Sequence, residues 1–254
     1  MLLSNFNGVK RGSSMWRKCW LIAMCFLWVA GSSAEMTRLK TAYGTDFDAY
    51  IVGPENAEIG ILLAHDRWGL TEESRKWADR FAQQGFRVVV ADLFDGRPVH
   101  SESMAKMVMA QTAPEWVQAD IEGALDYLSK YQRKIAAMGW GYGAEHLYKI
   151  ASRGEADFDA LITFYALPPE DQQLLAGIDV PILGVFARRD RVLNFERVDD
   201  FQRLMLRLRK NLEVVSVNAD AGFANPRNTT YQQAASNQAW FATEAFLKRH
   251  LIDE

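Results

Sequence analysis

The sequence predicts an α/β fold: a mostly parallel central sheet with helices on both faces, preceded by an antiparallel hairpin. Three observations carry that expectation. Short apolar or β-branched runs alternate with stretches of helical periodicity, several of the runs are apolar at every position, and a turn signal, Tyr43-Gly44-Thr45, interrupts the first extended segment. Strands separated by helix-length segments form parallel crossovers. A strand apolar at consecutive positions is one covered on both faces.

In chain order, Thr37 to Val52 reads as the hairpin, with its second strand at Asp48–Val52. Further strands are expected at Ile59–His65, Arg87–Ala91, Ile135–Gly139, Ala160–Phe164, Ile182–Phe186 and Leu212–Val217. Between them Val117, Ile121, Ala124, Leu125 and Leu128 recur at three- and four-residue spacings, which puts them on one helix face. Val198, Phe201, Met205 and Leu208 repeat the pattern, as do Ala235, Ala239, Ala242 and Phe246. A further helix is expected from Ala144 to Ser152. These stripes are read as core. Ligands in such a sheet sit beyond the carboxyl ends of the parallel strands, so the loops after Ala64, Leu93, Met138, Phe186 and Val217 are where function is sought.

Residues 1–34 read as an export signal. Arg17 and Lys18 precede the apolar run Cys19–Ala30, and Ser32 and Ala34 supply small residues for cleavage after Ala34. The run is shorter than the ~18 residues of a spanning helix. Translation starting at Met15 would give the segment a more ordinary signal length. Cleavage predicts a periplasmic or secreted protein with no stable membrane span; the alternative is an N-terminal anchor. Both cysteines, Cys19 and Cys25, lie in the apolar run, so residues 35–254 have no disulfide, thiolate metal site or cysteine nucleophile. A net charge of -3 gives no footprint for nucleic acid. No metal spacing, cofactor motif or specified oligomeric state is present.

One motif carries chemistry. Ile135-Ala136-Ala137-Met138-Gly139-Trp140-Gly141-Tyr142-Gly143 is an apolar strand running into a glycine-flanked turn before a helix, the context of a G-x-nucleophile-x-G elbow. The central residue is Gly141, which has no side chain to react. Hairpin first and doubly wound sheet afterwards is also the α/β-hydrolase order.

Over nearly all of residues 35–254 the chain resembles the dienelactone hydrolase family. His65-Asp66-Arg67-Trp68-Gly69-Leu70-Thr71 is similar to the family's loop after its third strand. Arg80–Val88 resembles its helix-to-strand passage, and Ala91-Asp92-Leu93-Phe94 and Phe164-Tyr165 resemble later signatures. Pro181–Phe186 leads to Asp190 as the family's strand leads to its acid, and Ala221-Gly222-Phe223-Ala224-Asn225 resembles the segment carrying its histidine. The resemblance implies an α/β-hydrolase fold and places the triad on Gly141, Asp190 and Ala221. Nucleophile and base are then both empty, and only the orienting acid Asp190 survives. A triad needs the base to take the nucleophile's proton and the acid to hold the base. Losing that unit costs on the order of 10⁶ in turnover.

The resemblance also implies an oxyanion hole, formed by the backbone N–H groups of Tyr142 and Arg67 at a helix N-terminus. Arg67 and Arg97 are expected near a small anionic ligand such as a carboxylate, with Trp68, Trp140 and Tyr142 as an aromatic wall and Asp66 and His65 at the border. His146 is expected on a helix face away from the pocket floor, His100 in an exposed loop and His250 in the last helix turn. Asp190 is expected to pair with Arg188, Arg189 or Arg191. Three readings follow: a non-catalytic exported binding protein on a hydrolase scaffold; a hydrolase with a rearranged site using His65 or His146 and Asp66 or Asp190; and a structural protein of the cell envelope.

Overall fold

In the computed structural model the described residues are 34–154 and 156–252. The expected export segment lies, up to its last residue, outside them. The strands are β1 (Glu35–Lys40), β2 (Asp46–Val52), β3 (Ile59–Ala64), β4 (Arg87–Ala91), β5 (Lys134–Trp140), β6 (Ala160–Phe164), β7 (Ile182–Ala187) and β8 (Leu212–Val217). They form one sheet in the order β1-β2-β4-β3-β5-β6-β7-β8. The β1–β2 pair is antiparallel, β2 meets β4 antiparallel, and every later pairing is parallel. The hairpin closes where expected: Gly44 takes φ 81 and its N–H donates to the Thr41 carbonyl at 2.9 Å.

The helices are α1 (Glu72–Ala82), α2 (Glu102–Gln111), α3 (Pro114–Ser129), α4 (Tyr142–Ala151), α5 (Gln172–Ala176), α6 (Phe195–Arg207) and α7 (Gln233–Leu251). Side chains alternate across β3, so Leu62 and Ala64 enter one core layer and Ile61 and Leu63 the other. The first layer is completed by Val117, Ile121 and Leu125 of α3, Leu147 of α4 and Phe201 of α6. The second is completed by Trp77 and Phe81 of α1 and by Ala239, Trp240 and Phe246 of α7. The expected stripe on α3 is buried throughout, and those on α6 and α7 are buried except at Leu208 and Ala242, which are half-buried.

Two short helices carry no clear apolar stripe and are set by their caps instead. The Ser101 hydroxyl accepts from the Met104 N–H to start α2, and the Asp171 carboxylate accepts from Gln173 and Leu174 to start α5. Among the described residues no helix is long and apolar enough to cross a membrane.

Candidate active site

Strand β5 delivers the elbow. Gly141 donates its N–H to the Phe164 carbonyl at 2.8 Å and sits at φ 45, ψ -107, and its carbonyl accepts from Glu145 to begin α4. The helix thus starts at Tyr142, two residues before the expected position, because the turn itself caps it. The three glycines answer to different constraints. A Cβ on Gly139 would lie 2.7 Å from the Ala144 nitrogen, and one on Gly143 would lie 2.4 Å from the Ala64 oxygen. A Cβ on Gly141 would meet nothing within 4 Å. The flanking glycines are sterically required; the central position has room for a side chain and lacks one. Its φ lies where non-glycine residues are strained, a conformation that persists at functional turns.

The two N–H groups expected at the oxyanion position, those of Tyr142 and Arg67, donate to no protein group among the described residues. The neighbouring donors are occupied: the Gly143 N–H donates to the His65 carbonyl at 3.1 Å and the Trp68 N–H to the Asp66 carboxylate at 2.9 Å.

Asp190 is arranged differently from expectation. Asp190 does not pair with Arg188, Arg189 or Arg191. One of its oxygens accepts from the Val192 N–H at 2.7 Å and the Leu193 N–H at 3.0 Å. Backbone donors two and three residues ahead are held in place by the chain itself, so they outcompete long mobile arginines. Arg189 turns instead to Asp220 and Asn218. Ala221, to which the resemblance assigns the base, is exposed, and its carbonyl accepts from the Thr230 hydroxyl.

His65 is 1% exposed and both ring nitrogens are engaged. Nε2 accepts from the Leu93 N–H at 2.9 Å, which fixes Nδ1 as the protonated nitrogen donating to the Asp66 carbonyl at 2.8 Å. No nitrogen is left for a ligand. His146 is 3% exposed, packs against the Tyr142 ring, and leaves Nδ1 without a partner. Burial, with a smaller contribution from Lys149, pulls its imidazole down to about 4, so it is neutral near neutral pH. Burial pushes the Tyr142 phenol up to about 12.

The arginines expected to meet an anion already have protein partners, although the buried Nε of Arg67 has none. Arg67 donates to Glu102 at 2.7 Å and to Asn228 at 3.1 Å, and Arg97 donates to the Phe94 carbonyl and the Thr112 hydroxyl. The aromatic wall is also redistributed. Trp140 turns into the core against Trp77 and Phe164, and Trp68 is buried between the guanidinium groups of Arg67 and Arg227. Only Tyr142 remains partly open, its ring against Phe94.

Asp66 is half-buried and accepts from the Asn225 side chain at 2.8 Å; desolvation raises its carboxyl above the usual range against the pull of the Trp68 N–H and Asn225. Beside it, between α1 and the elbow, a cavity of about 20 Å³ lined by His65, Asp66, Trp77, Trp140 and Asn225 has room for one water. Asn228 accepts from both Trp68 Nε1 and Arg67 Nη2. Asn225 and Asn228 thus fasten the loop after β8 to the loop after β3. Asn225 stood in the quoted motif without a role, and Asn228 had no sequence signal, because its partners lie about 160 residues away. Among the described residues no group of three or more His, Cys, Asp or Glu side chains could hold a metal ion.

Comparison with known proteins adds a lineage to this geometry. The model of the dienelactone hydrolase family matches residues 47–251. Protein usf of Aquifex pyrophilus is 26% identical over 223 residues, covering 82% of this chain and 95% of that protein. Among solved structures, a dienelactone hydrolase-like promiscuous phosphotriesterase from metagenomic libraries superposes with TM-score 0.74 at 20% identity, covering 87% of this chain and 99% of that one. An esterase of Pyrococcus furiosus superposes with TM-score 0.67 at 14% identity, covering 87% and 94%. The structural likenesses are likenesses of fold.

Proposed function

The chain belongs to the dienelactone hydrolase family, and we propose that it is a member that has lost triad catalysis, is exported, and uses the scaffold to bind rather than to hydrolyse. One observation carries this reading: Gly141 holds the elbow conformation with free space where a nucleophile would project. The surroundings agree with it. Asp190 is spent on its own loop, Ala221 offers no base, and His65 has no free nitrogen. The proposed ligand is a small carboxylate, held by the backbone N–H groups of Tyr142 and Arg67, while the Arg67 and Arg97 side chains donate to protein acceptors. Export rests on the sequence of residues 1–34 alone, and N-terminal sequencing of protein secreted from a bacterial host should then begin at Glu35.

The purified protein should hydrolyse p-nitrophenyl acetate no faster than buffer, and Gly141→Cys combined with Ala221→His should introduce turnover. Wild-type hydrolysis that Asp190→Ala abolishes would refute the proposal. Acetate or benzoate should raise the melting temperature of the wild type.

A further inference from the structure

The largest cavity we describe does not touch the elbow. It measures about 650 Å³ and lies at the carboxyl edge of the sheet, between the β1–β2 turn, the loop after β4 and the start of α3. Neither Gly141, Asp190 nor Ala221 lines it. Its floor is apolar, from Phe47, Leu93 and Ala119, all buried. Its rim carries two aromatic rings that pack against little else: Tyr43 is 81% exposed and Trp116 69%. An exposed tryptophan in the first turn of a helix contributes nothing to the core, and its ring face is available to a ligand.

The charge of the lining is predominantly negative. Asp95, Glu115 and Asp120 line the cavity, and their carboxyl groups make no hydrogen bond or ion pair among the described residues. Asp46 is matched by Lys40 at 2.6 Å. The one guanidinium, Arg97, is fixed to the Phe94 carbonyl and the Thr112 hydroxyl. Three unpaired carboxylates therefore outnumber one tethered cation. Asp120 is the most enclosed of them, half-buried on α3 and facing Asp92 and Asp95 from the loop after β4. Asp95 itself sits at φ 54, a left-handed conformation that aspartate tolerates better than most residues.

We propose that this cavity is a second ligand site, specific for a small organic cation with an apolar body, such as an aromatic or alkyl ammonium. A bare metal ion is a poor match, since the described residues hold no cluster of three candidate ligands. An ammonium head beside Asp120 would relieve the repulsion among Asp92, Asp95 and Asp120, and Trp116 and Tyr43 would cover it through their ring faces. The body would lie on Phe47, Leu93 and Ala119. Burial and the neighbouring carboxylates push the Asp120 carboxyl up to about 7. Near neutral pH, cation binding should therefore expel a proton from it.

Benzyltrimethylammonium, which cannot itself titrate, is the probe. Isothermal titration of the wild type at pH 7 should show saturable one-to-one binding, with a heat that changes with the ionisation enthalpy of the buffer because a proton is released. Asp120→Asn should weaken binding at least roughly tenfold and remove the buffer dependence, and Trp116→Ala should weaken it by a similar factor. Benzoate should not bind at this site. Absence of binding, equal binding by both variants with unchanged melting temperatures, or benzoate competing with the probe would each overturn the proposal. None of these outcomes depends on whether the elbow is catalytic, because the cavity and the elbow share no residue.

Discussion

Gly141 and Gly143 are the same residue type two positions apart, and the backbone asks different things of them. Gly143 is required by close approach: the Ala64 carbonyl passes where its Cβ would be. Gly141 is required by nothing around it and only favoured by its positive φ. Gly143→Ala should then cost about 3 kcal/mol of unfolding free energy by overpacking, and Gly141→Ala about 1–2 kcal/mol from backbone strain. Denaturant titration of the two variants checks the order, and a reversed order would mean that the elbow is not packed as described. The spacing of the motif was legible in the sequence. The difference between its glycines was not, since it depends on Ala64, which lies on another strand.

At the scale of elements, the loops after β3 and β8 are fastened by Asn225 and Asn228. Replacing Asn228 by alanine leaves Trp68 Nε1 without its acceptor in a buried setting, a loss of about 1–3 kcal/mol. Amide hydrogen exchange over residues 221–230 should quicken in Asn228→Ala while the β5 and β6 amides stay protected. Uniform quickening would show instead that the loop is part of the global unit. Periodicity located α3, α6 and α7 because each buries a stripe against the sheet. It did not locate α2 and α5, whose starts depend on Ser101 and Asp171 as caps. A cap is a single residue, and serine and aspartate also mark ordinary turns.

For the whole molecule, stability against pH is set in part by two groups shifted in opposite senses. The folded state holds His146 at about 4, below its ordinary 6.5, so the unfolded chain binds more protons between those values. That contribution is complete above about pH 6.5 and is lost as pH falls towards 4. Asp120 is raised from 3.8 to about 7, so its contribution is complete below about pH 4 and is lost as pH rises towards 7. Relative to the wild type, His146→Phe should therefore gain stability as pH falls from 6.5 to 4, and Asp120→Asn should gain it as pH rises from 4 to 7. Thermal melts across that range give both difference curves, and two curves of the same slope would contradict the assignment.

The strand-helix order, the hairpin, the family and the identities of Gly141 and Ala221 are all readable along the chain. Each of those is local: a run of residues, a period, or the identity at one position. What the polar groups around the elbow do depends on contacts made across the fold. Asp190 turned to its own backbone, both nitrogens of His65 were consumed, Arg67 and Arg97 found partners, and three carboxylates of the β4 loop and α3 were left without any. Hydrogen bonding and charge pairing depend on distances of a few ångströms between residues far apart in the chain. The fold sets those distances, and no spacing along the sequence encodes them.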